Sequence, residues 1–377
     1  MSNHTVMVVG GGIAGLTAAR ELASRNITVE LVEKSCFLGG HSIGFTCKAT
    51  DRCRQCGACS VEKTLGEVVD SSMIHIHLRS EVKAVTRGET ICVQLGKSDV
   101  DLGETGLLKG FSHHNSPFYV AGEKSADLPA GTVSADELGS ELTVDVDAVI
   151  VATGYEPFDP NIKSTYGYNE HRNVITGMEL ENILRDHSRL VRPSDGTEPD
   201  RVAFIQCVGS RDERLGNLWC SVVCCPYAMR MAGLTKYNKP DTEISIFYID
   251  VQNTGKEFPA FYEKIQEDVS FLRCIPVDIY PSENDGLRIQ YMPEEGGNAV
   301  AMDFDLAVLS VGIMPGGDTS GLSGMFDIAV DEHGFLQRSG DGVFLAGTAK
   351  GPSSIAGSIA DSEQTAYETM KYLGVIS

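Results

Sequence analysis

The chain has 377 residues, enough for two or more ordinary domains with their own cores. Its 42% apolar and 22% charged residues are those of a globular protein, and no run approaches the roughly 18 apolar residues of a membrane helix. With 31 basic against 52 acidic residues the net charge is −21, which excludes the Lys/Arg footprint of a nucleic-acid binder and fits either solubility or a face that steers a basic partner. The amino terminus shows no basic segment followed by an apolar one, so a cytoplasmic location is expected. Eleven cysteines in such a chain point to metal or redox chemistry rather than to a disulfide framework.

The first stretch, VMVVGGGIAGLTAARELASRNITVELVEKSCFLGG, reads strand, glycine turn, helix, strand. Gly10, Gly12 and Gly15 stand where a dinucleotide fingerprint belongs, directly after an apolar strand and opening an Ala/Leu-rich helix. Glycines there allow the tight turn and let the helix N-terminus approach a pyrophosphate. Glu33, 18 residues after Gly15, ends the second strand, where a carboxylate accepts from ribose hydroxyls.

Next comes CKATDRCRQCGACSVEKTLGEVV, with Cys47, Cys53, Cys56 and Cys59. Three readings stand for it: a second iron–sulfur cluster on Cys53, Cys56 and Cys59 with Cys47 or Cys36 as fourth ligand, a redox dithiol, or a site completed by a partner; plain reduced thiols are the bland fourth. His75 and His77 alternate on a strand without a visible third ligand and read as structural. Residues 99–139, including His113 and His114, read as a solvated Gly/Ser/Asp-rich excursion. Cys92 and Cys274 stand alone in strand-like runs and are expected in the core.

From residue 201 a second Rossmann-like half follows: RVAFIQCVGS, then the helix-like PYAMRMAGLTKYN, then the strand EISIFYID. At its turn stand Gln206, Cys207 and Val208, with only Gly209 left, and their Cβ atoms obstruct a pyrophosphate. This half is therefore not expected to bind NAD(P)H in the usual way. Cys207, Cys220, Cys224 and Cys225 gather there instead. Adjacent helical thiols point about 100° apart, so the last two suit two corners of a cluster better than a disulfide. Four thiolates suit an iron–sulfur cluster; structural zinc and buried inert thiols are the alternatives.

Gly39 and Gly40, six and seven residues after Glu33, extend a pattern that resembles the FAD domain of glutathione-reductase-like flavoproteins. DAVIVATGYEPFDP, with Thr153 and Gly154, resembles the segment closing that fold's first half, and DGVFLAGTAKGPSSIAGSIADSEQTAYETMKYL its last strand, turn and flavin-facing helix. Gly347-Thr348 departs from the Gly-Asp usual there. Lys350, just after that turn, is a candidate for a positive charge beside the flavin, with a surface lysine as the plain alternative.

QCVGSRDERLGNLWCSVVCCPYA, IFYIDVQNTGKEFPAFYEK and FDLAVLSVGIMP together resemble the A subunit of heterodisulfide reductase and its relatives. The resemblance implies an α/β, thioredoxin/glutathione-reductase-like two-domain fold. Residues 1–156 and 305–377 would form a discontinuous FAD-binding domain, and 157–304 an inserted NAD(P)H-domain-like module carrying a [4Fe–4S] cluster on Cys207, Cys220, Cys224 and Cys225. It implies an electron-transfer subunit working with B and C subunits, with lipoate-binding proteins as further donors and a homodimeric core. The chain matches a short form without ferredoxin domains, as in the sulfur-oxidising heterodisulfide-reductase-like complex or, alternatively, the quinone-interacting complex of sulfate reducers. A free-standing pyridine-nucleotide disulfide oxidoreductase and a non-catalytic scaffold remain the readings from other classes.

Overall fold

The computed structural model describes residues 4–35, 37–99, 139, 141–252, 256–337 and 340–377; Cys36, His113 and His114 lie outside them. The chain divides into two units, the first made of residues 1–45, 57–156 and 315–377, the second of residues 46–56 and 157–314.

In chain order the first unit runs β1 (Thr5–Val9), α1 (Ile13–Ala23), β2 (Thr28–Val32), α2 (Ala58–Val69), β3 (Ile74–His77), β4 (Ser80–Arg87), β5 (Ile91–Lys97), β6 (Leu142–Val146) and β7 (Ala148–Val151). The two-residue strand β8 (Glu156–Pro157) leads on to β9 (Val174–Thr176), α3 (Gly177–His187), β10 (Arg201–Val208), α4 (Cys224–Asn238), β11 (Glu243–Phe247), α5 (Phe258–Gln266), β12 (Ser270–Leu272), β13 (Asp278–Pro281), β14 (Leu287–Tyr291), β15 (Val300–Phe304), β16 (Leu306–Val311) and β17 (Ile313–Met314). The chain then completes the first unit with α6 (Thr319–Phe326), β18 (Val343–Leu345) and α7 (Ile355–Tyr372).

Both units use one plan. In the first, a parallel sheet of order β18-β7-β1-β2-β3 is accompanied by an antiparallel sheet β4-β5-β6; in the second, β12-β11-β10-β16-β9 is accompanied by β13-β14-β15. The reason lies in the strands. β1 and β7 are apolar on both faces, as a sheet covered on both sides requires. Val6 and Val8 point into a core built with helices α1 and α2, while Met7 and Val9 point into one built with Val93 and Leu95 of the antiparallel sheet. The second unit repeats this, with Val202 and Phe204 against Ala228 and Met231 of α4, and Ala203 and Ile205 against Leu287 and Ile289. Burying each such side chain stabilises by about 1.5–3 kcal/mol.

The expected return to the first domain at residue 305 falls ten residues later. β16 pairs in parallel with β10, Val202 opposite Leu306, because its run of buried apolar residues fills the centre of the second sheet. Residues 46–56 also go with the second unit, although the chain on either side of them belongs to the first.

Candidate functional site

The glycine turn of the first unit is closed by backbone at Gly10 and Gly15, by side chains at Gly11, and open at Gly12. Gly10 has φ +108°, and a Cβ there would lie 2.3 Å from the Ala152 carbonyl oxygen; a Cβ on Gly15 would lie 1.8 Å from the Gly10 oxygen. Gly12 faces open space, its nearest neighbour being the Gly40 Cα at 4.0 Å. It is also the N-cap of α1, and no side chain caps the helix, so the first-turn N–H groups point outward with the positive end of the dipole. The Glu33 carboxylate accepts from the N–H groups of Gly11 (2.7 Å) and Ser35 (2.8 Å), and the Gly39 N–H donates to the Gly11 carbonyl (2.7 Å).

A cleft of about 580 Å³ opens over this turn, within the range of cofactor sites. Gly10, Gly12, Glu33, Gly39, Gly40, Thr153, Gly154 and Thr348 line it; Gly15 and Gly347 are not among the lining residues. His41 lines it too and was not singled out in the sequence, although it directly follows Gly39-Gly40. Its Nε2 donates to the Tyr155 carbonyl (3.1 Å), and its ring lies 4.8 Å from that of Tyr155. Burial, outweighing that hydrogen bond, pushes its pKa down and keeps the ring neutral.

Lys350 is not among the lining residues; its ammonium pairs with Asp361 of α7 at 2.5 Å, so its charge is answered locally. The same carboxylate accepts the Gly347 N–H at 2.8 Å. Thus where the resembled flavoproteins carry Gly-Asp, Thr348 faces the cleft and an aspartate 14 residues from Gly347 holds the turn.

In the second unit the corresponding turn is filled. The β10–β16 register breaks between Ile205 and Val208, Cys207 takes the left-handed conformation (φ +58°), and Gly209 follows at φ +84°. A Cβ on Gly209 would lie 2.0 Å from the Phe158 ring, so that ring occupies the face of the turn. The next loop is a tight hairpin, Asp212 and Asn217 exchanging backbone hydrogen bonds at 2.9 and 3.1 Å. Asn217 Nδ2 donates to the Gly209 carbonyl (2.8 Å), Trp219 Nε1 to that of Ile313 (2.9 Å), and Arg211 forms a two-pronged ion pair with Asp250. Val222, β-branched yet left-handed at φ +54°, thereby donates its N–H to Cys220 Sγ at 3.3 Å. Helix α4 then begins at Cys224, with no side-chain cap and no acidic residue in its first turn.

Cys207, Cys224 and Cys225 are buried and Cys220 half-buried. The Cys224 thiol donates to the Ser310 carbonyl (3.8 Å) and that of Cys225 to the Asp250 carbonyl (3.7 Å). Burial first, then the neighbouring thiols, pushes Cys207 up to about 12; Cys224 rises for the same reasons, each of the other three contributing, and Cys225 rises chiefly by burial. Along the chain, Cys207 lies at the end of β10, Cys220 in the loop that follows the hairpin, and Cys224 and Cys225 open α4. Among the described residues no three His, Cys, Asp or Glu stand close enough to hold a single metal ion. Tetrahedral zinc needs its sulfurs about 3.8 Å apart, given bonds of about 2.3 Å, so a preformed zinc site is disfavoured.

The other cysteines are dispersed. Cys47, Cys53 and Cys56 belong to the second unit and Cys59 to the first, in the opening turn of α2. Residues 46–56 are fixed by Lys48, 2% exposed, pairing with the wholly buried Glu181, which also accepts the Thr46 N–H (2.9 Å) and hydroxyl (2.7 Å). Arg230 of α4 donates to the Arg54 carbonyl (2.9 Å) and lies beside Cys53 and Cys56. His75 and His77 do have a third partner, Glu30, at 2.8 and 2.6 Å. Cys92 and Cys274 are half-buried rather than core.

The profile of the pyridine nucleotide-disulphide oxidoreductase family matches residues 4–204. The chain is 32% identical, over 96% of its length, to the A subunit of the H2:CoB-CoM heterodisulfide,ferredoxin reductase of Methanothermobacter thermautotrophicus, covering 62% of that protein. It is 30% identical, over 97% of its length, to the iron-sulfur A subunit of the CoB–CoM heterodisulfide reductase of Methanocaldococcus jannaschii, covering 63%. It therefore spans less than two thirds of these curated relatives. Thioredoxin reductase of T. acidophilum shares the fold, with a TM-score of 0.58 at 14% identity over 98% of both chains. The open glycine cradle under the cleft fits a dinucleotide pyrophosphate, and with the family match it makes FAD the cofactor of the first unit. The chain belongs to the pyridine nucleotide-disulphide oxidoreductase family and is a flavin-dependent oxidoreductase.

Proposed function

We propose that this chain is the FAD- and [4Fe–4S]-containing electron-transfer subunit of a heterodisulfide-reductase-like complex. The observation that carries the reading is the placement of Cys207 at the end of β10, Cys220 in the following loop and Cys224 and Cys225 in the first turn of the next helix, where a second dinucleotide would lie. Cys224 and Cys225 stand in the uncapped first turn of α4, where the positive helix end favours an anionic group. Left-handed Cys207 brings the third sulfur, the hairpin after Arg211 returns the fourth, and burial of three of them keeps water away. Bound there, a cluster exchanges single electrons and FAD pairs of them, which suits a two-to-one electron transformer. Gly12, Glu33 and the first turn of α1 would hold the adenosine diphosphate half of FAD, and Thr348 the flavin side.

The partners belong to the same proposal. B and C subunits would take electrons from or give them to the cluster, lipoate-binding proteins would supply them, and a homodimer would form the core. Cytoplasmic sulfur oxidation is the setting we propose; the quinone-interacting complex of sulfate reducers is the alternative. Against a free-standing NAD(P)H-dependent disulfide reductase stand Phe158 and Cys207, which fill the second turn.

The test is anaerobic purification followed by iron, acid-labile sulfide and flavin counts with EPR of the dithionite-reduced protein. Roughly four irons and one FAD per chain, with iron lost and FAD kept in Cys224→Ser, is the expected outcome. An iron-free protein whose flavin is bleached by NADPH alone would overturn the reading.

A further inference from the structure

Three buried polar side chains around the cysteines of the second unit lack hydrogen-bond partners among the described residues. Both amide atoms of Gln206 are unpaired, as are the hydroxyls of Ser210 and Ser310. These residues are 2%, 1% and 5% exposed. Each is tied to one of the four cysteine residues through the chain or a backbone group. Gln206 directly precedes Cys207; the Ser210 N–H donates to the Cys207 carbonyl at 3.3 Å; the Ser310 carbonyl accepts the Cys224 thiol at 3.8 Å.

Burying an amide with neither end paired is unfavourable, and folded proteins seldom do so without a reason. The surrounding backbone is itself strained: Cys207, Arg211 and Val222 are all left-handed without being glycine. One left-handed turn already places an N–H on a sulfur, that of Val222 on Cys220. Unpaired amide and hydroxyl donors on Gln206, Ser210 and Ser310 are available to do the same for the sulfurs of a bound group. Sulfur is a weak acceptor when neutral and a much better one when it carries the charge of an anionic cluster.

We infer that Gln206, Ser210 and Ser310 are positioning residues that donate hydrogen bonds to the sulfurs of the group held by Cys207, Cys220, Cys224 and Cys225, and so set its reduction potential. The inference rests on the cluster assignment proposed above. Its sign follows from charge. An added electron increases the negative charge on the sulfurs, donors stabilise that state more than the oxidised one, and the potential rises. Removing a donor lowers it.

The test uses the intact protein, purified anaerobically with FAD and iron, and an EPR-monitored redox titration. Gln206→Leu and Ser310→Ala are each expected to keep the wild-type iron content while the one-electron equilibrium shifts three- to tenfold toward the oxidised form, about 30–59 mV more negative. Ser310→Thr, which keeps a hydroxyl, should restore the wild-type value. Thr242→Val removes another buried, unpartnered hydroxyl, at the far end of the parallel strands where Arg201 pairs with Glu243, and should leave the potential unmoved. Full clusters with unshifted potentials in Gln206→Leu and Ser310→Ala would overturn this inference alone. Absence of iron from the wild type would overturn the cluster reading and this inference with it. If Gln206→Leu loses its iron, the serine pair decides.

Discussion

The two parallel sheets each end a central strand in a turn that leads to a helix, directly in the first unit and through a hairpin in the second, and the turns differ in what fills them. After β1 the chain spends three glycines to keep Cβ atoms away, and the cradle over Gly12 stays open. After β10 the same place in the plan is occupied by the Phe158 ring and by thiols. A helix N-terminus is indifferent to which anion it faces, so one scaffold serves a pyrophosphate in one unit and is proposed to serve a thiolate-bound cluster in the other. The turn residues, not the fold, decide the cofactor.

Gly15→Val should break the first turn most severely. Its Cβ would meet the Gly10 oxygen at 1.8 Å, a backbone collision exceeding about 4 kcal/mol, and the purified protein should lack bound flavin by its visible absorbance. Phe158→Ala sharpens the other side. Loss of that buried ring should cost about 3–5 kcal/mol in chemical denaturation, yet NADPH should still fail to bleach the flavin, since Cys207 remains in the turn; bleaching would show that Phe158 alone had closed the site. A smaller effect is expected at His41. Because burial lowers its pKa, the unfolded chain binds the proton more readily, and stability is lost as pH falls below the ordinary value of about 6.5. The loss can reach about 1.4 kcal/mol per pH unit over the interval between the two pKa values. His41→Gln should flatten that acid limb in melting curves recorded between pH 7 and pH 5.5. Least of all should change in Lys350→Ala: a half-exposed pair with Asp361 is worth under about 1 kcal/mol, and the flavin potential should stay where it was.

What the sequence disclosed depended on how local the constraint is. Gly10 and Gly15 were legible because backbone collisions there tolerate no other residue, and Gly12 because it completes their spacing. Phe158 was not: it lies 51 residues before Gly209, and no periodicity links them. Asp361 was hidden likewise, since its bonds to Gly347 and Lys350 join the turn to a helix that follows it. Glu30 stayed unseen beside His75 until strand register set the two opposite each other. The assignment of residues 46–56 to the second unit rests on Lys48 and Glu181, 133 positions apart, and an isolated lysine in a cysteine-rich loop gives no hint of it.

That buried pair has a consequence for biosynthesis. A ribosome adding about 5–20 residues per second needs roughly 7–27 s to pass from Lys48 to Glu181. Until helix α3 exists, the lysine has no counter-charge to bury against, and closing so long a loop costs about 4 kcal/mol of chain entropy. The first unit's strands β1 to β7 are all made before that anchor can form. Cys47, Cys53 and Cys56 therefore spend the interval on unanchored nascent chain, free to meet one another before the fold separates them from Cys59.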